Sequence, residues 1–330
     1  MSVQITIIGL GQVGSSIGLA LAGQKNIKRV GHDKNYEAAR LAQKLGAVDD
    51  VKVNLPASVS EAQVVILSLP LSEIRDTLGY IAQDLQEGTV ILDTAPAKGK
   101  MVEWVSEILP RERYYVGLAP AAGTAYLHGM EVGVHSAHAD LFKNGLFLIN
   151  APTGTPGPAL DLASNLVSLL GAEVLFTDAV EADGLLASTH LLPQLVGAAL
   201  LDSTVNQPSW REGRRIAARP YAAVTAAMTY HDEPKSLGDA ALANRGNTVR
   251  VLDGLIASLQ NLRERIAEAD GEGVSEYLEA AAKARDRWIN ERSKAEWETA
   301  SQSKQNALSF GDRLSQMFVG NLFGRDKKRK

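Results

Sequence analysis

The chain has 330 residues, more than one ordinary core holds, so two domains are expected. Hydrophobic residues make up 45%, charged residues 22%, and the formal net charge is −4, a balance that suits a soluble globular protein and gives no basic field for nucleic acid. Cysteine is absent, which excludes disulfides, thiolate metal sites and a cysteine nucleophile, and no metal site is expected. The first apolar run, 5–9, is too short for a secretory signal. No stretch reads as the roughly 18 apolar residues of a membrane helix, so a cytoplasmic protein is expected.

In chain order, residues 3–8 (VQITII) read as a buried strand ending at Gly9. A small apolar helix over 15–23 follows, carrying Ile17, Leu19, Ala20 and Leu21. Residues 29–33 are a second strand ending in Asp33, and 36–45 a helix closed by Gly46. The run 62–70 (AQVVILSLP) is continuously apolar, as suits a parallel strand covered on both faces. A helix over 73–85, a strand over 89–93, a helix over 99–109 and a strand over 114–118 continue the alternation. A strand over 145–150, a turn-rich APTGTPGP, a helix over 160–170 and a strand over 173–176 complete it. This is the pattern of a doubly wound α/β sheet.

Beyond 178 the strand signal fades. Residues 182–202 are apolar and rich in Ala and Leu; such a helix is expected to be buried all round, and a subunit interface is a reasonable place for it. Val249, Leu252, Ile256, Leu259 and Ile266 recur as on one helix face, and 276–300 is again helical. The expected organisation is an α/β domain over 1–178, an all-α domain over 179–300 and a tail over 301–330. In the tail Leu308, Phe310, Leu314, Met317, Phe318, Leu322 and Phe323 alternate with polar residues before RDKKRK. It reads as a segment that docks on the domain and then frays; a membrane-surface or partner-binding helix is the alternative.

Gly9, Gly11 and Gly14 follow a strand and open a helix, with an acid 19 residues beyond the last of them. That context makes the spacing a dinucleotide signature. Gly9 permits the tight turn, Gly11 lets the backbone approach the pyrophosphate, and Gly14 lets helix and strand pack closely. The helix N-terminus, with Gln12 and Val13 in the turn, supplies amide donors for the phosphates. Asp33 accepts from the adenosine ribose hydroxyls and repels a 2′-phosphate, which favours NAD over NADP; the adjacent Lys34 softens that preference. Ser68 and Pro70 close a main strand where the sheet edge meets a cofactor, or form a loop without ligand contact.

The blocks GLGQVGSSIGLAL, VILDTAPAKGKMVEW, YVGLAPAAGTAYLHG, LFKNGLFLI, LLGAEVLFTDAVEADGLLASTHLLPQLVGAAL and WREGRRIAARP, in that order, resemble the prephenate and arogenate dehydrogenases of tyrosine biosynthesis over residues 3–288. The resemblance implies a Rossmann domain, a helical dimerisation domain, hence a homodimer, and an active site between them. It implies an NAD(P)-dependent oxidoreductase: hydride leaves a cyclohexadienol ring for NAD(P)+ and the ring carboxylate leaves as CO2. A base takes the ring hydroxyl proton, and a cation holds the carboxylate of this small substrate.

In that family these roles fall on a His in a GHPMAG-type block, a Ser in a DVGSVK-type block, a His in an SHLPH-type block and an Arg in a TRIA-type block. Here the first block is Leu118 to Gly123, with Ala119 in place of the His. The second is Asp93 to Lys98, with Pro96 in place of the Ser. The third reads His190-Leu191-Leu192-Pro193-Gln194, its His one residue early, about 100° of helix rotation. Arg215 matches the substrate-carboxylate arginine, amid a basic cluster of Arg211, Arg214 and Arg219. His190, Arg215 and Lys98 are thus the candidate catalytic residues. Lys98 lies near cofactor or substrate, or is a solvated lysine at a helix start. His128, His135 and His138 read as surface or capping residues that could stand in for the missing base. A different small-carboxylate or imine reductase, or a non-catalytic dinucleotide sensor, would fit the same frame.

Overall fold

The computed structural model describes residues 2–129, 131–229 and 234–294. The apolar runs of the first half become β1 (Val3–Ile8), β2 (Ile27–His32), β3 (Asp50–Val51), β4 (Val64–Leu67), β5 (Val90–Asp93), β6 (Tyr114–Ala121), β7 (Leu146–Asn150) and β8 (Glu173–Phe176). They form one sheet in the order β3-β2-β1-β4-β5-β6-β7-β8. The connecting helices are α1 (Gln12–Ala20), α2 (Tyr36–Lys44), α3 (Leu55–Val59), α4 (Leu71–Ile81), α5 (Lys98–Ile108) and α6 (Gly157–Leu169). One face of the sheet buries Ile5, Ile7, Leu92 and Phe147 against Ile17, Ala39 and Leu166. The other buries Ile8, Val65, Leu67 and Ile91 against Ile74, Leu78 and Met101. The doubly wound α/β reading holds.

One strand departs from parallel winding. β7 runs antiparallel to β6, pairing Ala119 with Leu148 and Ala121 with Leu146. Among the described residues the segment between them carries two 3-10 turns, Thr124–Tyr126 and Val134–Ser136, and no α-helix. Without a crossover helix the chain returns from the end at which it left, which forces antiparallel pairing. That pairing also extends β6 past the expected residue 118 to Ala121.

The second half is helical, as expected: α7 (Ala179–Leu186), α8 (Leu192–Val205), α9 (Trp210–Ile216), α10 (Arg219–Thr225), α11 (Pro234–Ala243), α12 (Arg245–Ala267) and α13 (Gly271–Lys294). A π turn over Ala187–Leu191 joins α7 to α8. Within the protomer only 28% of the most apolar window in this run is buried, so the burial expected of it would have to come from a second chain. By length and composition the run is also apolar enough to cross a membrane, which the sequence reading had excluded. The stripe on α12 is likewise open, with Val249, Ile256, Leu259 and Ile266 exposed. The tail over 301–330 lies outside the described residues.

The two halves are joined by helix caps. Asp183 of α7 turns its carboxylate onto the start of α5, accepting from Lys98 N at 2.6 Å and Gly99 N at 2.9 Å. Ala97, at the N-cap of α5, offers no side-chain acceptor, so Asp183 supplies what the local sequence lacks. Asn244 Nδ2 donates to the Asp183 carbonyl at 2.7 Å. At the start of α4, Ser236 Oγ accepts from Leu71 N at 2.9 Å. Leu191, Leu237 and Ala240 extend one sheet core into the helical half.

Asp183→Ala is expected to lower stability by about 1–2 kcal/mol, the scale of a lost cap, read as a lower urea midpoint. Asp183→Asn, which keeps an acceptor oxygen, should retain part of it. An unchanged midpoint in the alanine variant would contradict the capping role.

Candidate active site

The turn after β1 is built from steric exclusions. Gly9 has φ +91°, and a Cβ there would lie 2.1 Å from the Ser68 carbonyl oxygen. Ser68 N donates to Ile8 O at 2.8 Å, which seats the loop after β4 against the glycine turn. A Cβ on Gly14 would lie 2.0 Å from Gly9 O, so α1 packs directly on the turn. Gly11 differs: a Cβ there would meet nothing within 4 Å among the described residues. Among the described residues no side chain caps α1 at this point, so the first amides of the helix are left without a side-chain acceptor beside that open space. Such a cradle fits a pyrophosphate. Pro70 holds the N-cap position of α4, and Ser72 Oγ nearby is buried with no hydrogen-bond partner among the described residues.

Asp33 stands beside the turn. Its Oδ2 accepts from Leu10 N at 2.7 Å and its Oδ1 from Asn35 N at 2.8 Å. The carboxylate is thereby held at the end of β2, where a ribose would meet it. The Gln12 side chain is turned elsewhere. Its Nε2 donates to Ser136 O at 3.1 Å, and His138 N donates to Ser16 Oγ at 3.0 Å. The segment after β6 is thus strapped along α1. His128, His135 and His138 are all exposed on it, and the rings of His138 and Tyr126 lie 4.9 Å apart.

At the end of β5 lies a buried polar cluster. Lys98 is fully buried, contrary to the solvated lysine that was one of its two readings. Its Nζ donates to Asp93 Oδ1 at 2.9 Å and to Leu118 O at 2.6 Å. Tyr115 donates its hydroxyl to Asp93 Oδ2 at 2.6 Å. Burial lowers the pKa of Lys98, while the Asp93 carboxylate opposes the shift. Burial and then Asp93 push that of Tyr115 well up. Pro96 lies in the loop between Asp93 and Lys98, and Ala119 directly follows Leu118. The lysine therefore braces both positions where the resemblance had led one to look for Ser and His.

The remaining candidates sit in the helical half. His190 is exposed in the π turn, its carbonyl accepting from Gln194 Nε2 at 2.7 Å. A π turn holds more residues than an α turn, so a 100° step per residue does not carry across it. Arg215 is exposed in the last turn of α9. The structure gathers the glycine turn, Asp33, Ser68, Pro70 and the Asp93–Lys98 loop on one sheet edge. Arg292, near the end of α13, was missed by the sequence reading. It is buried, its pKa is lowered by that burial, and it donates to Ala122 O in the block after Ala119. Nothing in the helical periodicity of 276–300 distinguishes it.

Comparison with known proteins matches both halves. The family described as prephenate dehydrogenase, nucleotide-binding domain, covers residues 17–176, and prephenate dehydrogenase, dimerization domain, covers 178–280. The chain is 27% identical to a prephenate dehydrogenase of Bacillus subtilis, over 86% of this chain and 75% of that one. It is 28% identical to a cyclohexadienyl dehydrogenase of Zymomonas mobilis, over 85% of this chain and 94% of that one. The solved prephenate dehydrogenase of A. aeolicus, in complex with hydroxyphenyl propionate and NAD+, superposes with a TM-score of 0.76. It is 24% identical, with 87% of this chain and 98% of that chain covered. The Synechocystis arogenate dehydrogenase gives 0.66 at 20% identity, with 86% and 99% covered. These two structures bear on the fold.

The glycines separate folding from binding. Gly11→Ala should change stability by less than about 1 kcal/mol yet weaken NADH binding, followed by fluorescence, about tenfold or more. Gly9→Ala should destabilise the fold by about 2 kcal/mol or more, from the positive φ and the clash with Ser68 O. Unimpaired NADH binding in Gly11→Ala would remove the pyrophosphate from this turn.

Proposed function

The chain belongs to the prephenate dehydrogenase family, and from that premise we propose that it is an NAD-dependent dehydrogenase of prephenate or arogenate. We place it in the cytoplasm as a homodimer. The observation that carries this reading is the open glycine cradle beside a pinned Asp33, on the edge that also bears the Ala119 block. Gly9, Gly11 and Gly14, with the amides of Gln12 and Val13, would hold the pyrophosphate, and Asp33 the adenosine ribose. Ser68 and Pro70 would border the cofactor where it leaves the turn. NAD+ bound there supplies the hydride acceptor.

The chain must then hold the substrate carboxylate and receive the ring hydroxyl proton. Arg215 is assigned the carboxylate, since a guanidinium binds it in bidentate fashion, and His190 the proton. Lys98 acts as a positioning residue, because its ammonium is spent on Asp93 and Leu118. Ala119 and Pro96 offer no side-chain proton acceptor, which leaves that role to His190; losing it in His190→Ala should lower turnover about 10²–10⁴-fold. The same two positions favour one second reading. Hydride addition to a protonated imine on this frame needs no base for a ring hydroxyl and no further proton, whereas a keto acid would also need a proton donor. Assignment to a dimer is supported by the exposed apolar stripe on α12 and the open faces of the α7–α8 run, since contiguous apolar surface of this kind marks an interface.

Steady-state NADH production with prephenate and with arogenate tests the first reading, and no turnover above background with either would remove it. NADPH- or NADH-driven reduction of small imines or keto acids would then support the second. Arg215→Ala should raise KM for the productive substrate about tenfold or more, the scale of a charged hydrogen bond; an unchanged KM would count against Arg215. Light scattering should give twice the chain mass, and a clean monomer would overturn the dimer.

A further inference from the structure

The run from α7 through α8 is one continuous apolar helix, Ala179–Val205, with a proline inside it. Pro193 has no N–H to donate, and its ring crowds the carbonyl four residues back, at Thr189. The helix accommodates it with the π turn over Ala187–Leu191, in which the Leu192 amide reaches back to Ala187 O. His190 stands in this turn. Side chains brace the turn on both sides. Upstream, Ser188 Oγ and Thr189 Oγ1 donate to Leu185 O at 2.9 and 2.7 Å. Downstream, Gln194 Nε2 donates to His190 O at 2.7 Å.

The downstream brace differs from the others. Ser188 and Thr189 are exposed, and back-bonding of that kind is ordinary for hydroxyls on a helix. Gln194 is 3% exposed, and its Oε1 is buried with no hydrogen-bond partner among the described residues. Leucine or methionine would fill similar space without stranding a buried polar atom, which is destabilising. What the amide has and they lack is the N–H on His190 O. His190 has a further interaction of its own; what Gln194 fixes is the backbone beneath the imidazole.

We propose that Gln194 is a positioning residue for proton transfer: by holding the His190 carbonyl it fixes the π turn, and so the direction in which the imidazole leaves the helix. This rests on the assignment of His190 as proton acceptor above. A proton acceptor must lie within hydrogen-bond reach of the ring hydroxyl, and a misplacement of about 1 Å lowers a rate by up to about 10²-fold. One residue of slippage between the π turn and α8 would turn the imidazole by about 100°.

The test is NADH production by the full chain with whichever of prephenate and arogenate it oxidises. The variants are Gln194→Leu, Gln194→Met, His190→Ala and the Gln194→Leu/His190→Ala double variant, beside wild type. Gln194→Leu and Gln194→Met should each lower kcat about ten- to hundredfold while KM stays within about twofold. NADH affinity, read by fluorescence, should be unchanged in both, because the glycine turn lies in the other domain. In the His190→Ala background the Gln194→Leu loss should vanish to within about twofold, which a packing defect would not produce. Wild-type kcat in both Gln194 variants, or a loss that persists in full in the double variant, overturns the proposal and leaves His190 as assigned. Loss of NADH binding in both Gln194 variants also overturns it, since Gln194 would then be holding the fold. Wild-type kcat in His190→Ala removes the proton acceptor itself, and a wild-type chain that oxidises neither substrate removes the dehydrogenase reading; the proposal falls with either.

Discussion

A lysine ammonium sealed from water dictates the geometry of the sheet edge. Removing such a charge from solvent is costly unless it is paired and its donors are satisfied. Here Asp93 provides the counter-charge and the Leu118 carbonyl a further acceptor. Asp93 also takes the Tyr115 hydroxyl and the Ala95 amide. The ends of β5 and β6 and the first residue of α5 are therefore held in one arrangement, because loosening any of them strands a buried polar group.

That arrangement uses no side chain at 96 or 119. Lys98 grips the backbone at Leu118, one residue short of Ala119, and spans the loop on which Pro96 stands. The edge can keep its shape whatever occupies those two positions, so loss of the hydroxyl and imidazole expected there need not disturb the fold. The dinucleotide cradle is equally independent of them, since its shape comes from three glycines and the backbone of Ser68. Frame and chemistry are thus separable in this chain, which is why a matching fold leaves the substrate to be decided by assay.

How far the structure was legible in the sequence follows from how local each cause is. β1 and β4 were readable because strands buried on both faces are continuously apolar. The glycine turn was readable because each glycine answers a separate steric demand within a few residues. β3, two residues long, carries no periodicity to read. The strap after β6 was hidden because its anchors, Gln12 to Ser136 and Ser16 to His138, join residues more than a hundred positions apart. The burial of Lys98 is hidden for the same reason: the string KGK looks alike in water and in a core, and Leu118 meets it only through sheet pairing. The α7–α8 run was read as apolar correctly, but hydropathy alone does not say whether a helix is covered by its own protomer or by another. The π turn at His190 defeats residue counting, because an extra residue in one turn changes the face of all that follow.

The caps at α4 and α5 come from the opposite half of the molecule, Ser236 from α11 and Asp183 from α7. The helical half consequently holds acceptors that the sheet half requires. A chain cut after Phe176 would expose bare amides at the start of two helices and the apolar side of one core. The sheet and the helical bundle should therefore melt as one cooperative unit, although sequence comparison divides them into two modules.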